Sequence, residues 1–308
     1  MTIKGSQVAA PQFAQAQQGG GRGFTEPLTP EGARVSQGRK LRDLLARRGT
    51  VLCVLGTPTA SATQWMDEAG VEAAFIGTSI LFGRYGALPD TGVVTTTESL
   101  WAAKFIAESC QFPLILDGDT GHGGPAAVRR LVHESIQIGL AGIRIDDQEI
   151  EAKRSTGSAG IEIVPREQAV ARYQAAVKAR NELDPNFVIM AQCYARKATT
   201  GGMDELLARL QLYEREGGCD WVQFERPQSV DEIKRARAVV KGPLSAMQGD
   251  LPKALTMKEH QELGLNAKWA TGWPGSVMTA AARTAVAEYK TRGDAYIIDQ
   301  MAARSNSR

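Results

Sequence analysis

Beyond residue 50 the chain alternates between short apolar runs and longer stretches whose apolar positions recur at three- and four-residue steps. The apolar runs fall at 51–55, 73–77, 113–116, 142–145, 187–191, 221–224, 244–247 and 267–270. The helical stretches fall at 60–69, 97–109, 125–139, 165–182, 202–216, 229–240, 256–263 and 274–290. Near-continuous apolar runs are what strands buried on both faces require, and the helices between them are the crossovers that parallel strands need. Strand and helix alternating eight times without a break in composition predict an α/β fold of the (β/α)₈ (TIM) barrel type. The runner-up is an open doubly wound sheet. Against it, no GxGxxG turn follows the first run, and the glycines at 19–23 precede any strand.

Two further helices flank the barrel pattern. Residues 36–48 place Leu41, Leu44 and Leu45 on one face. Residues 294–303 form one more short helix after the eighth repeat, carrying Tyr296, Ile297, Ile298 and Met301 as an apolar stripe. A finished barrel has little surface left for it. Residues 1–30 are rich in Gln, Gly, Ala and Pro and carry no period. The expected organisation is therefore a flexible N-terminal arm, 1–35, and one barrel domain, 36–308, that includes the C-terminal helix.

The chemistry concentrates where apolar runs end. The third run ends in Asp117-Gly-Asp119 and a glycine-rich turn, and a helix starts near Pro125. Side chains alternate along a strand, so positions i and i+2 share a side. Two carboxylates placed together repel unless one is protonated or a cation neutralises them. A hard divalent ion such as Mg²⁺ suits such a pair, because it keeps several waters and takes one or two carboxylates. The plain alternative is an Asp-rich turn. The fourth run ends in Asp146 and Asp147, so two strands are expected to bring acids to one edge. Active sites of such barrels lie at the carboxyl ends of the strands. There the sequence also places Thr78, Ser79, Asp90, Gln192, Glu225, Arg226, Gln248 and Asp250.

Composition excludes several classes. With 36 basic and 34 acidic residues among 308, the net charge of +2 argues for no polyanionic partner. Cys53, Cys110, Cys193 and Cys219 show no CxxC spacing. No apolar run is long enough to span a membrane and no apolar leader opens the chain, so a cytoplasmic protein is expected. The partners expected are a small molecule and further copies of the chain, not nucleic acid or membrane.

Several motifs in this order resemble the isocitrate lyase/phosphoenolpyruvate mutase superfamily, from about Ser36 to Tyr289. They are Leu88-Pro89-Asp90, Asp117-Gly-Asp119-Thr-Gly-His122-Gly, Ile145-Asp146-Asp147-Gln148, and the loop Ala152-Lys153-Arg154-Ser155-Thr156-Gly157-Ser158. The stretch 184–191 is similar to the methylisocitrate lyase branch. The resemblance implies a Mg²⁺-dependent barrel enzyme, with Mn²⁺ as the alternative ion. Its usual reaction is C–C cleavage of a small 2-hydroxy or 2-oxo carboxylate through an enolate. Carried over by position, Asp117 would bind the metal directly, and Asp119, Asp90 and Asp146 would hold its waters. Backbone N–H groups around Thr78 and Ser79 would receive a substrate carboxylate. Lys153 and Arg154, on a gating loop, would add positive charge on closure, and Glu225 would support the pocket. His122, where the family has Tyr or Phe, is a candidate base or a loop spacer. The family exchanges its last helix between subunits, which implies a homotetramer built as a dimer of dimers.

Two departures change the expected substrate. Ser155 stands where the lyases carry a cysteine general acid, and a serine hydroxyl lacks near-neutral acidity. Gln192 replaces an arginine that contacts substrate oxygens, so bidentate carboxylate recognition is lost. Cys193 reads as a buried strand residue, and Arg196 is a distant candidate to restore the charge. The expected activity is a C–C lyase that does not use isocitrate or methylisocitrate. One alternative is a decarboxylase or hydrolase of an oxaloacetate-type 2-oxo acid. Another is a catalytically silent barrel kept for binding or assembly.

Overall fold

The structure is a computed structural model that describes residues 36–83 and 88–306. The expected arm at 1–35 lies outside the described residues. Two compact units are described separately: a barrel ending at Gly275, and a helical segment from Ser276 onward.

Eight parallel strands close the barrel in sequence order. They are β1 (Leu52–Gly56), β2 (Ala73–Ile76), β3 (Leu114–Asp117), β4 (Gly142–Asp146), β5 (Val188–Cys193), β6 (Trp221–Glu225), β7 (Leu244–Met247) and β8 (Ala267–Ala270). Each lies within a residue or two of its expected place. The barrel helices are α1 (Gln37–Leu45), α2 (Ala60–Glu68), α3 (Thr96–Ala107), α4 (Pro125–Gln137), α5 (Arg166–Leu183), α6 (Met203–Arg215), α7 (Val230–Val239) and α8 (Met257–Glu262). Local chemistry sets several starts. Thr95 and Glu98 form a reciprocal capping box on α3, Thr256 and Glu259 do the same on α8, and Pro125 opens α4. The leading helix ends at Leu45, three residues earlier than expected, because Ala46 already caps its last carbonyls.

Two apolar layers follow from the strand period of two. Leu52, Val54, Phe75, Ile115, Met190, Trp221 and Trp269 fill the barrel interior. There Trp269 stands edge-on to Phe75, with ring centroids 5.2 Å apart. Ile143, Ile145, Ile189, Ala191, Val222 and Phe224 face the other way and pack with the helices. The same alternation decides which polar residues reach the interior.

The second unit contains most of α9 (Trp273–Arg292) and all of α10 (Asp294–Asn306). Val286, Ile298 and Met301 are each more than 60 % exposed. Among the described residues no helix is long and apolar enough to cross a membrane.

Candidate active site

Asp117 ends β3 on the interior side, two residues after the buried Ile115. Its Oδ2 accepts the Thr78 N–H at 3.2 Å, and its Oδ1 lies 3.3 Å from Nη2 of Arg144. Gly118 is required here by close approach. Its N–H donates to the Arg144 carbonyl at 2.7 Å, and a Cβ would come within 2.8 Å of the Ile143 side chain and 2.9 Å of that carbonyl oxygen. Asp119 follows in the left-handed region, φ 52°, which Asp tolerates better than most residues. Its Oδ1 accepts the Thr120 N–H at 2.8 Å. Its Oδ2 is buried without a hydrogen-bond partner among the described residues. Burial raises the Asp119 pKa, and Asp117 and Asp90 raise it further, against the pull of Lys153.

The fourth strand corrects one expectation. Only Asp146 faces the interior. Its Oδ1 accepts the Gln148 N–H at 3.0 Å, and burial pushes its pKa up to about 8. Asp147 points through the barrel wall to the helix layer and is fully buried. There it accepts the Tyr213 hydroxyl at 2.7 Å and the Tyr194 N–H at 2.8 Å, with Arg209 Nη1 at 3.3 Å. Cys193 has the same orientation, with its Sγ 3.4 Å from Asp147 Oδ2, and burial holds its thiol well above the usual range. It is the buried strand cysteine that its position implies.

The loop after β4 brings Lys153 onto the acids. Its ammonium lies 2.8 Å from Asp90 Oδ1 and 3.4 Å from Asp119 Oδ1, and the residue is buried. Burial opposes its charge, but Asp146, Asp119 and Asp90 outweigh burial and the pKa is raised. Arg154 does not join it. The residue is exposed, its guanidinium lies near Gly160, and its N–H donates to Gln148 Oε1 at 3.0 Å. The Ser155 hydroxyl meets that of Ser158 at 3.2 Å, within the loop itself. Thr156 is the loop hydroxyl that reaches the barrel. Its Oγ1 lies 2.7 Å from Tyr194 Oη, and its carbonyl accepts Arg226 Nη1 at 3.1 Å.

Gln192 and Glu225 meet in the interior. Gln192 Nε2 donates to Glu225 Oε1 at 2.7 Å and to Tyr194 Oη at 3.1 Å. Gln223 also donates to Glu225 Oε1. Glu225 Oε2 is buried without a partner among the described residues, and burial raises this carboxyl's pKa. Arg196 is engaged elsewhere, on Glu232 and Gln228, so it does not replace a charge at Gln192.

The remaining candidates divide. The Thr78 N–H is occupied by Asp117. Ser79 opens a π-helical turn, Ser79–Gly83, and is exposed. Such turns are rare and frequent at functional sites. His122 adopts φ 54°, its Nε2 is buried without a partner, and burial lowers its pKa. Of the other strand-end residues, Asp250 pairs with Lys197 and Arg226. Gln248 accepts the Leu255 N–H at 2.6 Å.

Arg144 is the functional residue that pattern reading missed. It lies inside the barrel, 4.3 Å from the Phe75 ring centroid, between Asp117 and the charge of Glu225. Burial is the largest influence on it and disfavours its charge, but Asp117, Tyr194 and Glu225 together raise its pKa. The available signal was a charge in the middle of an otherwise apolar strand, Gly142–Asp146, which a protein buries only when it is paired. Tyr194 and Thr156 were also missed, because neither motif shows that they meet.

Among the described residues no three His, Cys, Asp or Glu groups stand together as a metal-holding set. The donors nevertheless fit Mg²⁺. They are hard carboxylate oxygens, the ion needs only one or two of them, and Asp119 keeps an unpartnered buried oxygen. The Lys153 ammonium answers the charge of Asp90 and Asp119.

Comparison with known proteins places this arrangement. The phosphoenolpyruvate phosphomutase family model matches residues 41–290. A 2,3-dimethylmalate lyase from Eubacterium barkeri is 33% identical over 229 residues, 74% of this chain and 77% of the relative. An oxaloacetate decarboxylase from Paraburkholderia xenovorans is 32% identical over 71% of each chain. Among solved structures, an oxaloacetate acetylhydrolase bound to 3,3-difluorooxalacetate superposes with a TM-score of 0.77 and 26% identity, covering 84% of this chain and 87% of that one. The closed barrel, the acids at its carboxyl end and the match over most of the sequence agree: the chain belongs to the phosphoenolpyruvate mutase/isocitrate lyase superfamily.

Proposed function

We propose that this protein is a Mg²⁺-dependent carbon–carbon lyase. It cleaves a small 2-hydroxy or 2-oxo carboxylate through an enolate, and its substrate is neither isocitrate nor 2-methylisocitrate. The observation that carries this reading is the gathering of Asp90, Asp119 and Lys153 above the Asp117–Arg144 pair, at the end of the barrel where Gln192 meets Glu225. Kinship to a lyase of 2,3-dimethylmalate supports it.

Asp117 would hold the ion directly, with Asp119, Asp90 and Asp146 on its waters; Mn²⁺ would serve in its place. Bound there, the ion supplies Lewis-acid stabilisation of charge developing on a substrate oxygen. Arg144 fixes the Asp117 carboxylate from below. Lys153 brings positive charge over the acids when its loop is down, and the loop excludes water from them. Gln192 spends its amide N–H groups on Glu225 and Tyr194 and would offer substrate only an uncharged carbonyl oxygen in place of a guanidinium. It would therefore favour a substrate with one carboxylate fewer at that position than isocitrate has. Ser155 is occupied within the loop, so Thr156, at Tyr194, is the loop hydroxyl proposed to relay a proton to the enolate: it gives one up and takes one from Tyr194, which regains it from solvent, so it does not need the acidity of a cysteine. His122 would serve as a positioning group beside Asp119. Ser79 would line the substrate end of the π-helical turn.

A second reading is a decarboxylase or hydrolase of an oxaloacetate-type acid. The likeness to an oxaloacetate decarboxylase and to an oxaloacetate acetylhydrolase favours it. Such a reaction uses the same acids and needs no loop cysteine.

The test is turnover of 2,3-dimethylmalate, oxaloacetate, 2-methylisocitrate and isocitrate, with Mg²⁺ and with chelator. Metal-dependent cleavage of 2,3-dimethylmalate or a near analogue, at the ~1–10³ s⁻¹ ordinary for enzymes, supports the lyase. Cleavage of oxaloacetate alone supports the second reading. Ordinary turnover of isocitrate or 2-methylisocitrate overturns the specificity. No turnover, together with no binding of pyruvate or oxalate in the presence of Mg²⁺, returns the silent barrel.

A further inference from the structure

The end of the barrel opposite the acids contains a cavity of about 830 Å³. It lies where α1, α7 and α8 end and where β5, β6, β7 and β8 begin. Barrel chemistry belongs to the other face, and this face ordinarily serves stability alone. A cavity of this size falls in the range that holds a drug-sized ligand, roughly 300–1,000 Å³.

Its charge is strongly one-sided. Arg48, Arg237 and Lys241 line it, and none forms an ion pair with a carboxylate among the described residues, although Glu214 acts on Arg237 from nearby. Arg237 is half-buried and spends its donors on the carbonyls of Val240, Gly242 and Gly264. The lining carboxylate, Asp220, is already held by Arg42 at 2.8 Å, by Arg180 and by the Ile189 N–H. Arg42 also lines the cavity, and a fifth lining cation, Arg47, is paired with Glu72 at 2.5 Å; Glu214 nearby takes the N–H groups of Lys241 and Gly242.

A structural explanation covers part of this. Helix C-termini carry partial negative charge, and basic residues settle there. Three helices end at this mouth. At about half a charge each they balance fewer than two cations; Glu214 offsets about one more, and a smaller positive excess remains, at the exposed Arg48 and Lys241.

We propose that this mouth is a second, non-catalytic site that binds a phosphate-bearing small molecule. Guanidinium groups match phosphate oxygens in a fixed fork, and lysine adds a point charge. Arg48 and Lys241 stand at the exposed rim, where a phosphate dianion meets them without full loss of water. Leu45, Val188, Val240 and Leu265 give the cavity an apolar wall for the rest of such a molecule. The proposal does not depend on the reaction assigned above, because the site shares no residue with it.

The test is calorimetric titration of the full chain with inorganic pyrophosphate, in chelator so that no metal complex forms. Expected is saturable binding at one site per chain, weakening as salt rises and accompanied by a rise in Tm. Arg48→Gln with Lys241→Gln should weaken it at least about tenfold while leaving the ligand-free melting temperature unchanged; these side chains are exposed and unpaired. Asp117→Asn should leave it intact. Absence of saturable binding overturns the proposal. So does binding that survives the double substitution, or binding that is lost in Asp117→Asn, which would locate it at the catalytic end.

Discussion

The hydroxyl of Thr156 stands 2.7 Å from that of Tyr194, and through this contact the loop after β4 is fastened to the end of β5. Tyr194 in turn accepts a hydrogen bond from Gln192, which donates to Glu225. One chain of hydrogen bonds thus runs from the loop after β4 to the interior of the barrel. Its neighbour in sequence, Ser155, is outside this chain.

Thr156→Val should therefore lower kcat by about 10²–10⁴, the range of a lost proton-transfer group, with a smaller change in KM. Ser155→Ala should stay within a few-fold of the parent. Steady-state kinetics on the carboxylate that gives turnover decide it; equal losses from both substitutions would remove Thr156 from its role.

Asp117→Asn keeps one acceptor oxygen, enough for the Thr78 N–H or for Arg144 but not for both, and removes the charge. It should abolish Mg²⁺ binding by calorimetry and abolish turnover, with an unchanged circular dichroism spectrum. Normal turnover of this variant, or of the parent in chelator, would rule out the metal reading.

Asp147→Ala should act on stability and not on the metal. It leaves Arg209 and Tyr213 buried without their shared acceptor, and breaking a buried pair from one side costs roughly 3–5 kcal/mol. Denaturation midpoints should fall accordingly while Mg²⁺ affinity holds within a few-fold. Loss of Mg²⁺ binding at unchanged stability would return Asp147 to the site.

Glu205 gives a pH signature. Hydrogen bonds from Arg166, then Arg209, hold its pKa at about 2 against the ordinary 4.5. The folded value is the lower one, so on acidification the unfolded chain takes up the proton first. The stability contribution is full above about pH 4.5 and is lost as pH falls toward 2. Thermal melts between pH 6 and 2 should show a shallower acid limb for Glu205→Gln than for the parent; superimposable limbs would contradict it. The group is partly exposed, so solvent screens the effect and it should be modest.

The terminal helix bears on assembly. Ile297 is 46% exposed, Ile298 and Met301 64% each, and Arg292 lies 5.7 Å from the Tyr296 ring centroid. Covering such side chains in a neighbouring subunit would contribute about 1.5–3 kcal/mol for each one fully buried. The full chain is expected to sediment as a tetramer and a chain ending at Arg292 as a smaller species. Equal monomers would show that the helix joins nothing.

The eight strands were legible because buried parallel strands must be apolar on both faces, and their crossover helices must carry a 3.6-residue period. Asp90 lies in the loop after β2 and was legible only through its Leu88-Pro89-Asp90 motif, but Asp117 and Asp146 were legible for a related reason. A strand's carboxyl end is where its apolar run stops. Asp146 and Asp147 mark the limit. Both end the same run, yet one faces the site and the other a buried arginine, because adjacent strand residues point to opposite faces. Which of the two faces inward depends on the register of β4 against β3 and β5, a relation between strands that one strand's letters do not contain. Arg144, Tyr194 and Thr156 stayed hidden for the same cause. Their partners lie on β3, on the loop after β4 and at the end of β5, and only closure of the barrel brings those segments within hydrogen-bond distance.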